Sequence, residues 1–222
     1  MTPRIVVLSS PSGGGKTTIA RTILERYPKK FGYSVSATTR RPRAGERQGE
    51  AYYFLTREEF ADWRKQGRFV ETAEYAGELY GTLKSEVEKV LQSGRHVLLD
   101  IEVDGAQQVR AAYPDAITVF ILPSEPRVLI ERLLKRKSES PSEVLKRVDR
   151  AMYELGATGS FDRIVKNDVL DEAVNAVIRI VDEGGGLRRE QGEMQWFADF
   201  ATGLTEEQQR LYDEVQDRKS VV

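Results

Sequence analysis

The sequence predicts an α/β protein: a parallel sheet covered by helices on both faces, with a small, mainly antiparallel insert. Three observations carry this. Short apolar, β-branched runs without polar alternation ("RIVVLSS", "HVLLDIE", "AITVFIL") recur along the chain and read as strands buried on both faces. Helical patterns separate them, as crossover connections of parallel strands require. Residues 33–82 interrupt this rhythm with short alternating segments, so they form an insert of a different kind.

The elements follow in order. Residues 4–10 are the first buried strand, followed by a glycine turn. The helix "KTTIARTILERY" carries Ile19, Ile23, Leu24 and Tyr27 on one face and stops at Pro28. Residues 33–40 alternate as one strand, and 51–56 form another. A helix over 57–67 closes at Gly67, and two strands over 68–82 flank an Ala76-Gly77 turn. Next come a helix over 84–94, a buried strand over 96–102, a helix over 105–114 and a third buried strand over 116–122. Residues 124–138 and 142–157 are two helices, 163–167 a strand, and 170–183 a helix with Val174, Val177, Ile178 and Val181 on one face. A glycine run at 184–186 precedes a tail containing one helix, "TEEQQRLYDEVQD", for which Thr205 and Gln208 offer a capping box. The division expected is a core of 1–32 and 83–183, an insert at 33–82 and an extension at 184–222.

Bulk properties exclude several function classes. The 222 residues carry 34 Lys plus Arg against 35 Asp plus Glu, which gives no support to general nucleic-acid or membrane binding. No cysteine and one histidine remove disulfides, thiolate chemistry and most zinc sites. No apolar run approaches spanning length, and the N-terminal run is too short for a signal peptide, so a cytoplasmic location is expected.

The first site candidate is "SSPSGGGKTT", between the first strand and its helix. Successive backbone N–H groups and a helix N-terminus at such a loop bind phosphate oxygens. In this arrangement Lys16 reaches the terminal phosphates and the Thr17 hydroxyl helps hold Mg²⁺. Ser12, Gly13, Gly14, Gly15, Lys16, Thr17 and Thr18 are therefore the candidate nucleotide-binding residues. Ser10 stands where the pattern G-x-x-x-x-G-K-[ST] opens on glycine. A strand ending in Asp100 supplies an acidic group near the metal. A second anion site is suggested by four arginines between Arg40 and Arg47, because guanidinium forks suit phosphate; a solvated basic turn is the bland alternative.

Together, "SSPSGGGKTT", "FGYSVSATTRRPRAGE", "YYF", "FVETAEYAGELYGT", "LLDIEVDGA" and "RIVKND" resemble the guanylate kinase family in order and spacing, over roughly residues 4–183. The resemblance implies a P-loop NTPase fold and transfer of the ATP γ-phosphate to GMP, and to dGMP, with Mg²⁺. It implies that Arg40, Arg43, Tyr52 and Tyr80 bind the GMP phosphate. Ser36, Glu71, Thr82, Asp100 and Glu102 line the acceptor site, where a carboxylate such as Glu71 accepts from guanine N1–H and N2–H₂ and rejects adenine. The resemblance also makes the helical pair at 124–157, on its own a solvated pair, a helical lid of the core, whose closure brings in Arg136 and Arg147 as the implied catalytic cations with Lys16. Four positions depart from the family's usual pattern: Ser10, Glu102, Asp104 and the "KRK" around Arg136. The competing expectations are a guanylate-kinase-like binding module that has lost catalysis, and a kinase of phosphorylated ribose. ATP and GMP are the expected partners, and the extension leaves a homo-oligomer or a tail-mediated contact open.

Overall fold

The computed structural model describes residues 2–75, 77–134, 141–184 and 191–220. Two compact units share the chain, one of residues 1–8 and 20–118, the other of 9–19 and 119–222.

Five strands form one sheet in the order β2-β7-β1-β8-β9: β1 (Ile5–Ser9), β2 (Phe31–Tyr33), β7 (His96–Asp100), β8 (Ile117–Leu122) and β9 (Arg163–Lys166). The registered pairs β1–β7, β2–β7 and β8–β9 are all parallel. Every residue of β1 and of β8 is buried, which is why these strands read as unbroken apolar runs.

In the first unit a second sheet runs in the order β4-β3-β6-β5: β3 (Ser36–Thr38), β4 (Tyr53–Phe54), β5 (Phe69–Tyr75) and β6 (Glu78–Leu83). β3–β6 and β5–β6 are antiparallel and β3–β4 parallel. Its core is Ala37, Phe60, Phe69 and Leu83, with Phe60 from α2 (Arg57–Lys65) stacked on Phe69 at 4.6 Å. α3 (Lys84–Gln92) and α4 (Val103–Ala112) complete the unit with most of α1 (Lys16–Arg26). The expected single strand at 33–40 is instead two: β2 ends at Tyr33 in the five-stranded sheet, and β3 starts at Ser36 in the other.

In the second unit β8 and β9 are joined by α5 (Pro126–Leu134), α6 (Pro141–Gly156) and a 3₁₀ turn over Ala157–Ser160. α7 (Leu170–Asp182) follows, then α8 (Gln191–Ser220). Leu129, Leu133, Val148, Ala151, Val174, Val177 and Leu204 are fully buried. The tail helix is longer than expected, and Thr205 does not cap it. Its hydroxyl donates to the Ala201 carbonyl one turn back, while Gln208 bonds Asp149. Apolar contacts at Phe200 and Leu204 carry the helix through the capping signature. Among the described residues, no helix is long and apolar enough to cross a membrane.

Candidate active site

The loop after β1 is built around a turn in which Gly14 N–H donates to the Pro11 carbonyl at 2.9 Å. Gly13 and Gly15 hold φ of 85° and 96°, a region that side chains disfavour. Gly14 is required for another reason. A Cβ there would lie 2.6 Å from Ser10 Cβ and 2.9 Å from the Ile121 carbonyl oxygen. Ser10 is buried and donates to the Pro11 carbonyl at 2.9 Å, so its side chain is part of the turn. Lys16 opens α1 half-buried, while Thr17 and Thr18 are exposed on its first turn.

Three side chains brace this loop. Asn167, buried at the end of β9, donates to the Gly14 carbonyl at 2.8 Å, and a Cβ on Gly15 would collide with its amide nitrogen. Arg132 of α5 donates to the Asn167 carbonyl at 3.0 Å. Arg147 of α6 donates to Ser12 Oγ at 2.9 Å and to the Leu133 carbonyl at 2.8 Å. Arg147 thus sits at the loop, whereas Arg136 lies outside the described residues. Asn167 had no role in the sequence reading. A lone amide at a strand end gives no periodic or compositional signal.

The residues expected at the acceptor site lie in the first unit. Glu71 follows a register shift in β5 between Phe69 and Glu71, of the kind that re-aims a side chain. It is 5% exposed, and its Oε1 accepts from the Thr82 backbone N–H at 3.0 Å and the Thr82 hydroxyl at 2.6 Å. Ser36 faces Thr82 in register on β3. Burial raises the Glu71 carboxyl above its ordinary pKa, and the two Thr82 bonds pull it back. Gly105 of α4 leaves room beside it: a Cβ there would come within 2.8 Å of Glu71 Oε2. Gln108, one turn further, pairs both N–H and C=O of Thr72 at 3.1 and 3.0 Å, fixing α4 against β5. Glu102 is the residue before α4; its backbone is extended and its side chain does not cap the helix.

Arg40, Tyr52 and Tyr80 cluster nearby. The Arg40 guanidinium carbon lies 5.4 Å from the Tyr52 ring centre, and the Tyr52 and Tyr80 rings meet edge-on at 6.1 Å. Glu46, unassigned in the sequence reading, ties the arginine loop together. One oxygen accepts from Arg40 at 2.9 Å and the other from the Arg43 backbone N–H at 2.7 Å. The bond to Arg40 holds the Glu46 carboxyl below its ordinary pKa. The Arg43 side chain itself is exposed. Asp100 ends β7 half-buried.

Comparison with known proteins gives the family. The family model described as guanylate kinase matches residues 2–184. The chain is 47% identical over 180 residues to a guanylate kinase of Synechocystis sp., covering 81% of this chain and 94% of that one. A Thermus thermophilus guanylate kinase is 42% identical over 194 residues, covering 87% and 86%. The crystal structure of guanylate kinase from Anaplasma phagocytophilum superposes with a TM-score of 0.65 at 29% identity, covering 82% of this chain and 86% of that chain.

Proposed function

The chain belongs to the guanylate kinase family, and on that premise we propose how its residues divide the work of phosphorylating GMP at the expense of ATP. The observation that carries the reading is Glu71. This buried carboxylate has one oxygen bonded to Thr82 and the other given space by Gly105. Guanine offers N1–H and N2–H₂ as adjacent donors to such a group. Adenine offers an acceptor at N1 and would leave the buried charge unmatched.

The remaining roles are those that family membership implies. Arg40, Arg43, Tyr52 and Tyr80 bind the GMP phosphate; Ser36, Thr82, Asp100 and Glu102 complete the acceptor pocket. The backbone N–H groups of the loop from Ser12 to Thr18 cradle the ATP phosphates, with Lys16 at the terminal ones. Transfer needs no covalent intermediate and no strong base; it needs in-line placement and neutralisation of charge on the transferring group, for which Lys16 and Arg147 are suited, with Arg136 the second lid cation. Closure of the lid helices excludes water and suppresses ATP hydrolysis.

The donor set fits Mg²⁺. The Thr17 hydroxyl and the Asp100 carboxylate are hard oxygen ligands. Among the described residues no cluster of three or more His, Cys, Asp or Glu could cage a metal. That suits an ion held largely by phosphates and water. When bound, it would neutralise the β- and γ-phosphate oxygens. A cytoplasmic location belongs to the same proposal.

A coupled assay with ATP, Mg²⁺ and a panel of GMP, dGMP, AMP, UMP and ribose phosphates tests the reading. GDP formation from GMP is expected; the absence of turnover with every acceptor would instead support a binding module.

A further inference from the structure

Residues 185–222 lie beyond the family match, yet α8 is firmly seated in the second unit. Phe200 is 2% exposed and Leu204 fully buried. Gly203 approaches α5 so closely that a Cβ would lie 3.0 Å from Pro126 Cγ. The Trp196 indole N–H donates to the Ser124 carbonyl at 2.9 Å, and the Lys166 ammonium sits 4.6 Å from the Trp196 ring centre. Glu193 accepts from the Ile164 backbone N–H at 2.8 Å, covering part of β9, the edge strand of its sheet. These contacts anchor the first half of α8 to β9 and to the start of α5.

The second half reaches α6. Gln208 Nε2 donates to Asp149 Oδ1 at 2.7 Å, and the Tyr212 hydroxyl lies 3.0 Å from each Asp149 oxygen. Asp149 stands two residues after Arg147, which is about 200° around a helix of 3.6 residues per turn. α6 is therefore held from both sides, by α8 at Asp149 and by the phosphate loop at Arg147. Val148 and Ala151, both fully buried, fill the space around it.

We propose that α8 is a strut that positions Arg147: by gripping α6 at Asp149 it keeps the Arg147 guanidinium at the phosphate loop. Holding a long side chain in one place costs rotamer entropy, and the cost falls when its helix cannot roll or slide. Gln208 and Tyr212 are thus positioning residues that act through Arg147. The strut rests on the reading above, in which the loop takes ATP and Arg147 serves the transferring phosphate.

A double-mutant cycle in the full chain tests this. Tyr212→Phe keeps the ring and removes both bonds to Asp149; adding Gln208→Ala frees Asp149 from α8. The pair is expected to lower kcat about 2- to 10-fold, the range that net hydrogen bonds give, with the GMP KM unchanged. In an Arg147→Ala background the same pair is expected to have no further effect on kcat, because only Arg147 transmits it. The affinity for ADP, measured by calorimetry in the same four proteins, runs as a parallel cycle that needs no turnover. Unchanged kcat and ADP affinity in the pair would overturn the strut, as would an equal loss with and without Arg147. Should the pair lose its thermal midpoint, Tyr212→Phe alone decides by the same criteria. A parent enzyme that binds ADP but does not phosphorylate GMP would sink the functional reading instead, and the ADP cycle would still judge the strut.

Discussion

The Asn167 side-chain amide donates to the Gly14 carbonyl at 2.8 Å, across 153 positions of sequence. A trans peptide sets C=O and the next N–H on opposite sides of one plane. Fixing the Gly14 carbonyl toward Asn167 therefore points the Gly15 N–H the other way, free of Asn167 and on the side where the proposed site places the ATP phosphates. Donation to the carbonyl also polarises the unit and strengthens that N–H as a donor.

Asn167→Ala is accordingly expected to raise the ATP KM by about 5- to 30-fold, the equivalent of roughly 1–2 kcal/mol for a buried carbonyl left unbonded. Separate calorimetric titrations with ADP and GMP check this. ADP affinity is expected to fall and GMP affinity to hold.

Glu71 predicts opposite effects on stability and function. Because burial raises its pKa in the folded state, its contribution to stability is fully present below the ordinary carboxylate pKa and is lost as pH rises through the folded value. Glu71→Gln can still accept both Thr82 bonds but carries no buried charge. The variant is expected to gain stability over the parent as pH rises from acid toward neutrality, in thermal melts without nucleotide. Its GMP affinity is expected to fall by about tenfold to 150-fold, since a charge-assisted hydrogen bond is worth about 1.5–3 kcal/mol.

Glu46 holds the arginine loop through Arg40 and the Arg43 backbone. Glu46→Ala frees both and is expected to raise the GMP KM about 3- to 10-fold while leaving the ATP KM unchanged. Its carboxyl lies below its ordinary pKa, so the support it gives is present above that value and is lost only as pH falls through the lowered one. Between pH 5 and pH 7, on the order of the ordinary carboxylate range and above, GMP binding should not track Glu46 titration.

Ser10 and Gly14 predict contrasting outcomes. Ser10→Gly removes one hydrogen bond from the turn and is expected to leave the ATP KM within about twofold, at a stability cost of about 1 kcal/mol. Gly14→Ala places a methyl group against Ser10 and the Ile121 carbonyl and is expected to abolish ATP binding. Initial rates over an ATP series in the two variants distinguish them.

These residues also show what sequence could and could not reveal. Arg40 with Tyr52 and Tyr80, and Glu71 with Thr82, were legible as neighbours through the motifs that carry the family resemblance. The break after Tyr33 was not, because "YSVSAT" alternates without interruption and period-2 patterning reports faces, not partners. Thr205 and Gln208 carried a local capping signature that tertiary burial of Phe200 and Leu204 overrode. Asn167 and Gly105 act through residues far away in the chain, and Glu46, which bonds Arg40 and the Arg43 backbone within its own loop, is one charge among several there, so none of them drew a role from its own segment.

The proposed recognition of guanine's two adjacent donors by the Glu71 carboxylate is measured by kcat/KM for GMP, IMP and AMP with saturating ATP and Mg²⁺. IMP keeps N1–H and lacks the amino group, so it is expected about tenfold to 150-fold below GMP. AMP, which presents an acceptor to the carboxylate, is expected below GMP by about 10⁴ or more. An AMP value within about tenfold of GMP, less than one charge-assisted hydrogen bond is worth, would contradict the account.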